Sequence, residues 1–183
     1  MTDHSAGGVE VAIVPPARAT DAGLAAELSD LVNRVYAVAE AGLWLDGAAR
    51  TTQPEMAALI QAGQIAVARL QGRVVGVVRV QQLDDAEGEF GMLVAAPEQR
   101  GIGIGRELVG FAEGWGRARG LARMRLELLV PRTWSHPVKE FLRAWYTRIG
   151  YRAVHTGSLD VAYPELVAKL ATPCDFLTFH KDL

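Results

Sequence analysis

Apolar positions recur along this chain with two different periods, and the two periods take turns. Between residues 21 and 41, Leu24, Leu28, Leu31, Val35 and Val38 recur every three or four positions. That spacing predicts an amphipathic helix, with Thr20 or Asp21 as its cap. A second predicted helix opens at Pro54, where a missing N–H costs nothing. It carries Met56, Leu59 and Ile60 and stops at Gly63. Strand-like runs follow over 64–70 and 73–82, joined by Gln71-Gly72, a hairpin signal. After a polar turn at 83–88, a third run covers 89–95. Leu108, Phe111, Ala112 and Trp115 predict a helix over 105–119, closed by Gly120. Met124, Leu126, Leu128 and Val130 share one side of a strand over 123–130. A helix over 138–149 ends at Gly150, the residue suited to a left-handed cap. Short strands at 9–14, 151–155 and 176–181, and a short helix or loop at 160–171, complete the chain. The order β-α-α-β-β-β-α-β-α-β-β predicts a mixed α/β domain, with a central mixed sheet flanked by helices.

Composition narrows what such a domain does. The 183 residues suit one domain that buries its own core. Acidic residues number 21 and basic residues 19, a net charge of −2. The basic excess of a nucleic-acid binder is missing, so no nucleic-acid partner is expected. The longest stretch without a charged residue, 56–68, is shorter than the roughly 20 apolar residues of a membrane span. Residues 1–8 have neither the basic nor the apolar segment of a signal peptide. They read as a disordered tail before a domain over 9–183. The single cysteine, Cys174, excludes an intramolecular disulfide and fits a reducing, cytoplasmic setting. His4, His136, His155 and His180 show no ligand spacing, so no metal is expected.

The chemistry concentrates at 93–106, Leu93-Val94-Ala95-Ala96-Pro97-Glu98-Gln99-Arg100-Gly101-Ile102-Gly103-Ile104-Gly105-Arg106. A strand runs into three alternating glycines that open a helix. The first amides of a helix lack internal partners and carry partial positive charge, and glycines let a phosphate approach the backbone closely. Arg100 and Arg106 add cations. A dinucleotide fingerprint needs a glycine where Arg106 stands, although Glu127 lies at the distance of its ribose-binding acid. A phosphate loop ending in Gly-Lys-Ser/Thr is absent. A glycine-rich turn without ligand is the remaining bland reading.

Arg100-x-x-Gly103-x-Gly105 after this strand resembles the pyrophosphate loop of the GNAT superfamily of N-acetyltransferases. Trp145-Tyr146-Thr147-Arg148-Ile149-Gly150-Tyr151 resembles that superfamily's second signature, and the order of elements matches along most of the chain. The resemblance implies a GNAT fold in which strands 89–95 and 123–130 splay apart to admit the pantetheine arm of acetyl-CoA. Leu93, Val94 and Ala95 would meet that arm. Arg100, Gly101, Ile102, Gly103, Ile104, Gly105 and Arg106 would hold the diphosphate. It also implies direct attack of an amine on the thioester, with Tyr146 as general acid toward the leaving thiolate. Glu89 would be the base, with Asp85 and Glu87 as neighbours able to replace it. Lys139 stands where relatives often carry Asn. It is assigned to a CoA phosphate, with simple exposure as the alternative.

The acceptor side, by the same analogy, lies between the first two helices and residues 159–173. Glu40 and Trp44 there would suit a cationic amine, Arg50 a substrate carboxylate, and His136 a substrate contact or base. A solvated loop with one packed tryptophan is the plainer alternative. The expected enzyme acetylates a small amine or amino-acid-like molecule. Acetylation of a protein N-terminus or lysine, and a non-catalytic acyl-CoA-binding module, are the rivals. Homodimers are frequent in the superfamily, and the analogy extends to this chain.

Overall fold

The computed structural model describes residues 8–183, so of the tail expected over 1–8 only Gly8 lies within the described residues. Strands β1 (Glu10–Ile13), β2 (Ile65–Leu70), β3 (Arg73–Gln82), β4 (Glu87–Ala95), β5 (Arg123–Pro131), β6 (Arg152–Ser158) and β7 (Cys174–Asp182) form one sheet. Their order is β1-β2-β3-β4-β5-β7-β6. Helices α1 (Ala22–Ala39), α2 (Gln53–Gln61), α3 (Ile104–Ala118) and α4 (Pro137–Arg148) flank it. Two single-turn helices, α5 (Leu159–Ala162) and α6 (Pro164–Val167), precede β7. The expected mixed sheet is present. Only β4 and β5 run parallel, which a doubly wound dinucleotide-binding sheet does not allow.

Local signals explain most boundaries. Asp21 caps α1 by accepting from the Leu24 amide at 2.9 Å. Thr52 and Glu55 form a reciprocal capping box on α2. Gln71 and Gly72 both take positive φ, as a tight hairpin between β2 and β3 requires. β4 begins two residues earlier than expected. The Asp84 carboxylate accepts from the Ala86 and Glu87 amides at 2.8 Å each, and the turn it closes starts the strand. Val38, expected on the apolar stripe of α1, is 68% exposed, so the buried stripe ends earlier in the helix.

The sheet opens at one defined place. β4 and β5 pair only through Glu87↔Arg123, Gly88↔Met124 and Glu89↔Arg125. Beyond Glu89 they part, while β5 stays paired to β7 over its whole length. On the other edge of β4, the register with β3 slips between Val77↔Val94 and Arg79↔Gly91. Met92 and Leu93 therefore stand opposite Val78 alone, and Met92 takes a φ of 50°. A bulge of this kind bends and twists its strand, and it lies where β4 leaves β5. A second, smaller apolar cluster of Leu43, Leu129, Leu159 and Cys174 joins the loop after α1 to the segment before β7.

Candidate active site

The glycine loop follows β4 through a short 3-10 turn, Pro97–Gln99. Gly101 and Gly103 both lie in the left-handed region, with φ of 86° and 81°. Glycine enters that region without strain. A Cβ at either position would meet nothing within 4 Å, so the loop faces open space. Gly103 is the N-cap of α3 and supplies no side-chain cap, which leaves the leading amides for a ligand. Arg100, Ile102 and Arg106 are exposed beside it, whereas Val94 and Ile104 point into the core and offer only backbone. Gly105 approaches the Trp145 ring, 3.5 Å from the place of its missing Cβ, and so docks α3 against α4. The start of α3 is thus uncapped and its glycines face open space.

Tyr146 sits on α4, which ends at Gly150 with φ of 100°. The Tyr151 amide then returns to the Tyr146 carbonyl at 3.0 Å. This cap stacks the aromatic residues of the motif. The Tyr146 ring centroid lies 5.0 Å from Trp145, 6.1 Å from Tyr151 and Phe179, and 6.2 Å from Phe90. Tyr146 is only 5% exposed. Burial pushes its phenol well above the usual tyrosine range, and the neighbouring phenol of Tyr36 pushes the same way. The group is therefore a protonated donor at any physiological pH.

Glu89 occupies the last paired position before β4 and β5 part. Gln81 Nε2 donates to its Oε1 at 2.8 Å, and Arg125 Nε lies 3.2 Å from its Oε2. Burial raises the carboxyl above the usual carboxylate range. The Gln81 hydrogen bond and the Arg125 charge oppose the rise, and Glu127 adds to it. Arg125 also pairs with Glu127, which accepts from the Tyr163 hydroxyl at 2.9 Å. Glu87 is buried and bound to Arg123 at 2.5 Å, and Asp85 lies in an exposed turn. Of the three acids considered from sequence, Glu89 alone stands at the opening.

The acceptor-side residues come together, but several roles change. Lys139 is 3% exposed and its Nζ donates to Glu40 Oε1 at 2.6 Å. It is a buried ion-pair partner, and neither a phosphate contact nor an exposed residue as expected. The other Glu40 oxygen accepts from Trp44 Nε1 at 2.6 Å. Glu40 is therefore fully engaged and does not face a cationic acceptor. His136 caps α4: its Nδ1 accepts from the Val138 amide at 3.2 Å and its Nε2 donates to the Ala41 carbonyl at 3.0 Å. With both nitrogens occupied, it ties α4 to the loop after α1 and is no free base. Arg50 alone of this group keeps an open charge, its guanidinium 4.9 Å from the Tyr36 ring centroid and 5.9 Å from that of Trp44.

The loop after α1 is laced to the segment before β7. Leu45 N donates to Lys169 O at 2.9 Å, Ala171 N donates to Leu43 O at 2.9 Å, and Trp44 bridges Leu170. Sequence reasoning missed Tyr36, Arg125 and Tyr163. Tyr36 was findable: Asn33, Tyr36 and Glu40 follow helical spacing beside the apolar stripe of α1. Arg125 meets Glu89, and Tyr163 meets Glu127, only through tertiary pairing, which leaves no local signal. Among the described residues no group of three potential metal ligands occurs, and no helix is long and apolar enough to cross a membrane.

Comparison with known proteins agrees with this geometry. The sequence profile described as "Acetyltransferase (GNAT) family" matches residues 28–151. No curated protein sequence matches at a significant level. Among solved structures, an acetyltransferase from Streptococcus agalactiae superposes with a TM-score of 0.65 at 20% identity, covering 96% of this chain and 99% of that one. An IAA acetyltransferase from Bacillus cereus gives 0.63 at 17% identity, covering 96% and 100%. A GNAT family acetyltransferase from Elizabethkingia anophelis with acetyl-CoA bound gives 0.51 at 14% identity, covering 65% and 75%.

Proposed function

This chain belongs to the acetyltransferase (GNAT) family of acyl-CoA-dependent enzymes, and from that premise we propose that it transfers an acetyl group from acetyl-CoA to the primary amine of a small, amino-acid-like molecule. The observation that carries the reading is the parting of β4 from β5 directly beyond Glu89, with the uncapped glycine loop at the end of β4. The acetyl-CoA complex of the Elizabethkingia relative supports the same donor here. The donor supplies an activated thioester. In this chain Gly101, Gly103 and the first amides of α3 hold its diphosphate, with Arg100 and Arg106 beside them. The Leu93 amide, at the bulge, stabilises the charge that develops on the thioester carbonyl. Glu89 takes the proton of the incoming ammonium, and its raised pKa suits it to the task. Tyr146 gives its proton to the leaving thiolate.

The lacing of the loop after α1 to residues 169–171 joins the two segments that flank the acceptor side, which supports a small acceptor. The lone thiol of Cys174 is buried and fits a reducing, cytoplasmic setting. A single domain over 9–183, assembled as a homodimer, completes the reading. The test is release of free CoA thiol from acetyl-CoA across a panel of small amines. Turnover with a small amine and none with peptide N-termini or lysines supports the reading. Faster turnover of peptides, or acetyl-CoA binding without any turnover, overturns it.

A further inference from the structure

Arg50 is an exposed cation that the fold holds in place without a carboxylate partner among the described residues. Its backbone is fixed first: Asn33 Oδ1 accepts from the Arg50 amide at 2.9 Å and from the Thr51 amide at 3.0 Å. Its guanidinium is fixed second, within cation–π range of two rings, Tyr36 at 4.9 Å and Trp44 at 5.9 Å. Trp44 is itself held, because its indole N–H is committed to Glu40. The nearest acid, Glu40, has one oxygen on Lys139 and the other on Trp44. Arg50 forms no ion pair with a carboxylate among the described residues.

Its location is as informative as its isolation. Tyr36 lies in the field of Arg50, and Tyr146 lies in the field of Tyr36. On the opposite loop Tyr163 lies in the field of Arg50, and its hydroxyl reaches Glu127, which shares Arg125 with Glu89. The guanidinium thus stands against Tyr36 and Trp44 on the acceptor side, and Tyr36 is in turn a neighbour of the acid Tyr146. A planar fork immobilised by aromatic faces has already given up much of its rotamer freedom. It matches a carboxylate with two parallel hydrogen bonds.

We propose that Arg50 is an anion receptor for the acceptor itself, and that the acceptors of this enzyme are amines bearing a carboxylate, such as free amino acids, and not plain alkylamines or polyamines. The proposal rests on the acetyltransferase reading above and names its substrate class. Polyamines would meet a repelling guanidinium where amino acids meet a partner.

The test compares each of a set of L-amino acids with its own carboxamide, alongside propylamine and spermidine, by free-thiol release from acetyl-CoA. The wild-type enzyme, Arg50→Gln and Arg50→Lys are run in parallel. The same preparations are titrated with N-acetyl amino acids and their amides in the presence of CoA. The expected result is a wild-type preference for acid over amide of at least tenfold in kcat/KM, the scale of one charge-assisted hydrogen-bonded pair. Arg50→Gln should bring that ratio close to one, and Arg50→Lys, which keeps the charge without the fork, should restore part of it. Preference for amides, propylamine or spermidine overturns the proposal. So does a ratio that survives Arg50→Gln in a variant of unchanged melting temperature. If acetyl-CoA binds and other amines are acetylated while no carboxylate is turned over or bound, the Arg50 assignment falls alone. If acetyl-CoA does not bind, the parent reading falls with it.

Discussion

Replacing Gly103 by Asp and by Ala separates the strain of the glycine loop from its charge. Both side chains must enter a backbone with φ of 81°, at a cost of about 1–2 kcal/mol. Neither meets an obstacle, because a Cβ there has nothing within 4 Å. Because an aspartate can also cap α3, Gly103→Asp should lose no more stability than Gly103→Ala, and both losses should be a small part of the usual 5–15 kcal/mol. They should differ in binding. The aspartate carboxylate would stand at the uncapped start of α3, where the diphosphate is assigned. Two like unit charges about 4 Å apart near a protein surface repel by about 4 kcal/mol. Solvent and counterions reduce that to about half at ordinary ionic strength. A penalty of about 2 kcal/mol is roughly a thirtyfold weaker Kd. Calorimetric titration with acetyl-CoA should show that loss for Gly103→Asp, weakening as salt is added, and a much smaller loss for Gly103→Ala. Equal affinities for the two folded variants would refute the phosphate-cradle assignment.

Further expectations follow from the other groups. Tyr146→Phe should lower kcat by about 100-fold or more, the scale of a lost general acid, while acetyl-CoA affinity and melting temperature stay near wild type; unchanged turnover at all pH values would remove Tyr146 from the chemistry. Because burial raises the Glu89 carboxyl, and the charged form is the base, kcat/KM should rise with pH through a limb lying above the usual carboxylate value of about 4.3. Glu89→Gln should abolish that limb, and a limb that persists assigns the base elsewhere. Lys139→Met strands Glu40 as a buried charge and should cost about 3–5 kcal/mol in urea unfolding. Adding Glu40→Gln should recover most of that loss, and a double variant as unstable as the sum of the singles would contradict the pairing.

The parts legible in the sequence were those encoded by neighbours in the chain. The spacing of Leu24, Leu28 and Leu31, the Gln71-Gly72 turn and the cap at Gly150 each act within a few residues, and each stands where the pattern placed it. The geometry of the glycine loop was legible because it is backbone geometry, set by Gly101 and Gly103 themselves. The acceptor side was not, because the roles of its polar side chains depend on partners far away in sequence. Lys139 looked like a phosphate contact or an exposed cation until the end of α1 brought Glu40 to it across 99 positions. His136 looked like a substrate contact or a base until Ala41 took its second nitrogen. Arg50 was readable as an anion contact from its type, but only the tertiary fold shows that no described carboxylate neutralises it.

The central claim is that this fold binds acetyl-CoA through the loop that follows β4 and presents its thioester where β4 and β5 part. The most direct test is calorimetric titration of the purified protein with acetyl-CoA, with NAD and ATP as controls. The account predicts micromolar binding of acetyl-CoA, near −8 kcal/mol, and no comparable binding of NAD or ATP. A folded protein that ignores acetyl-CoA, or that binds all three alike, would contradict it.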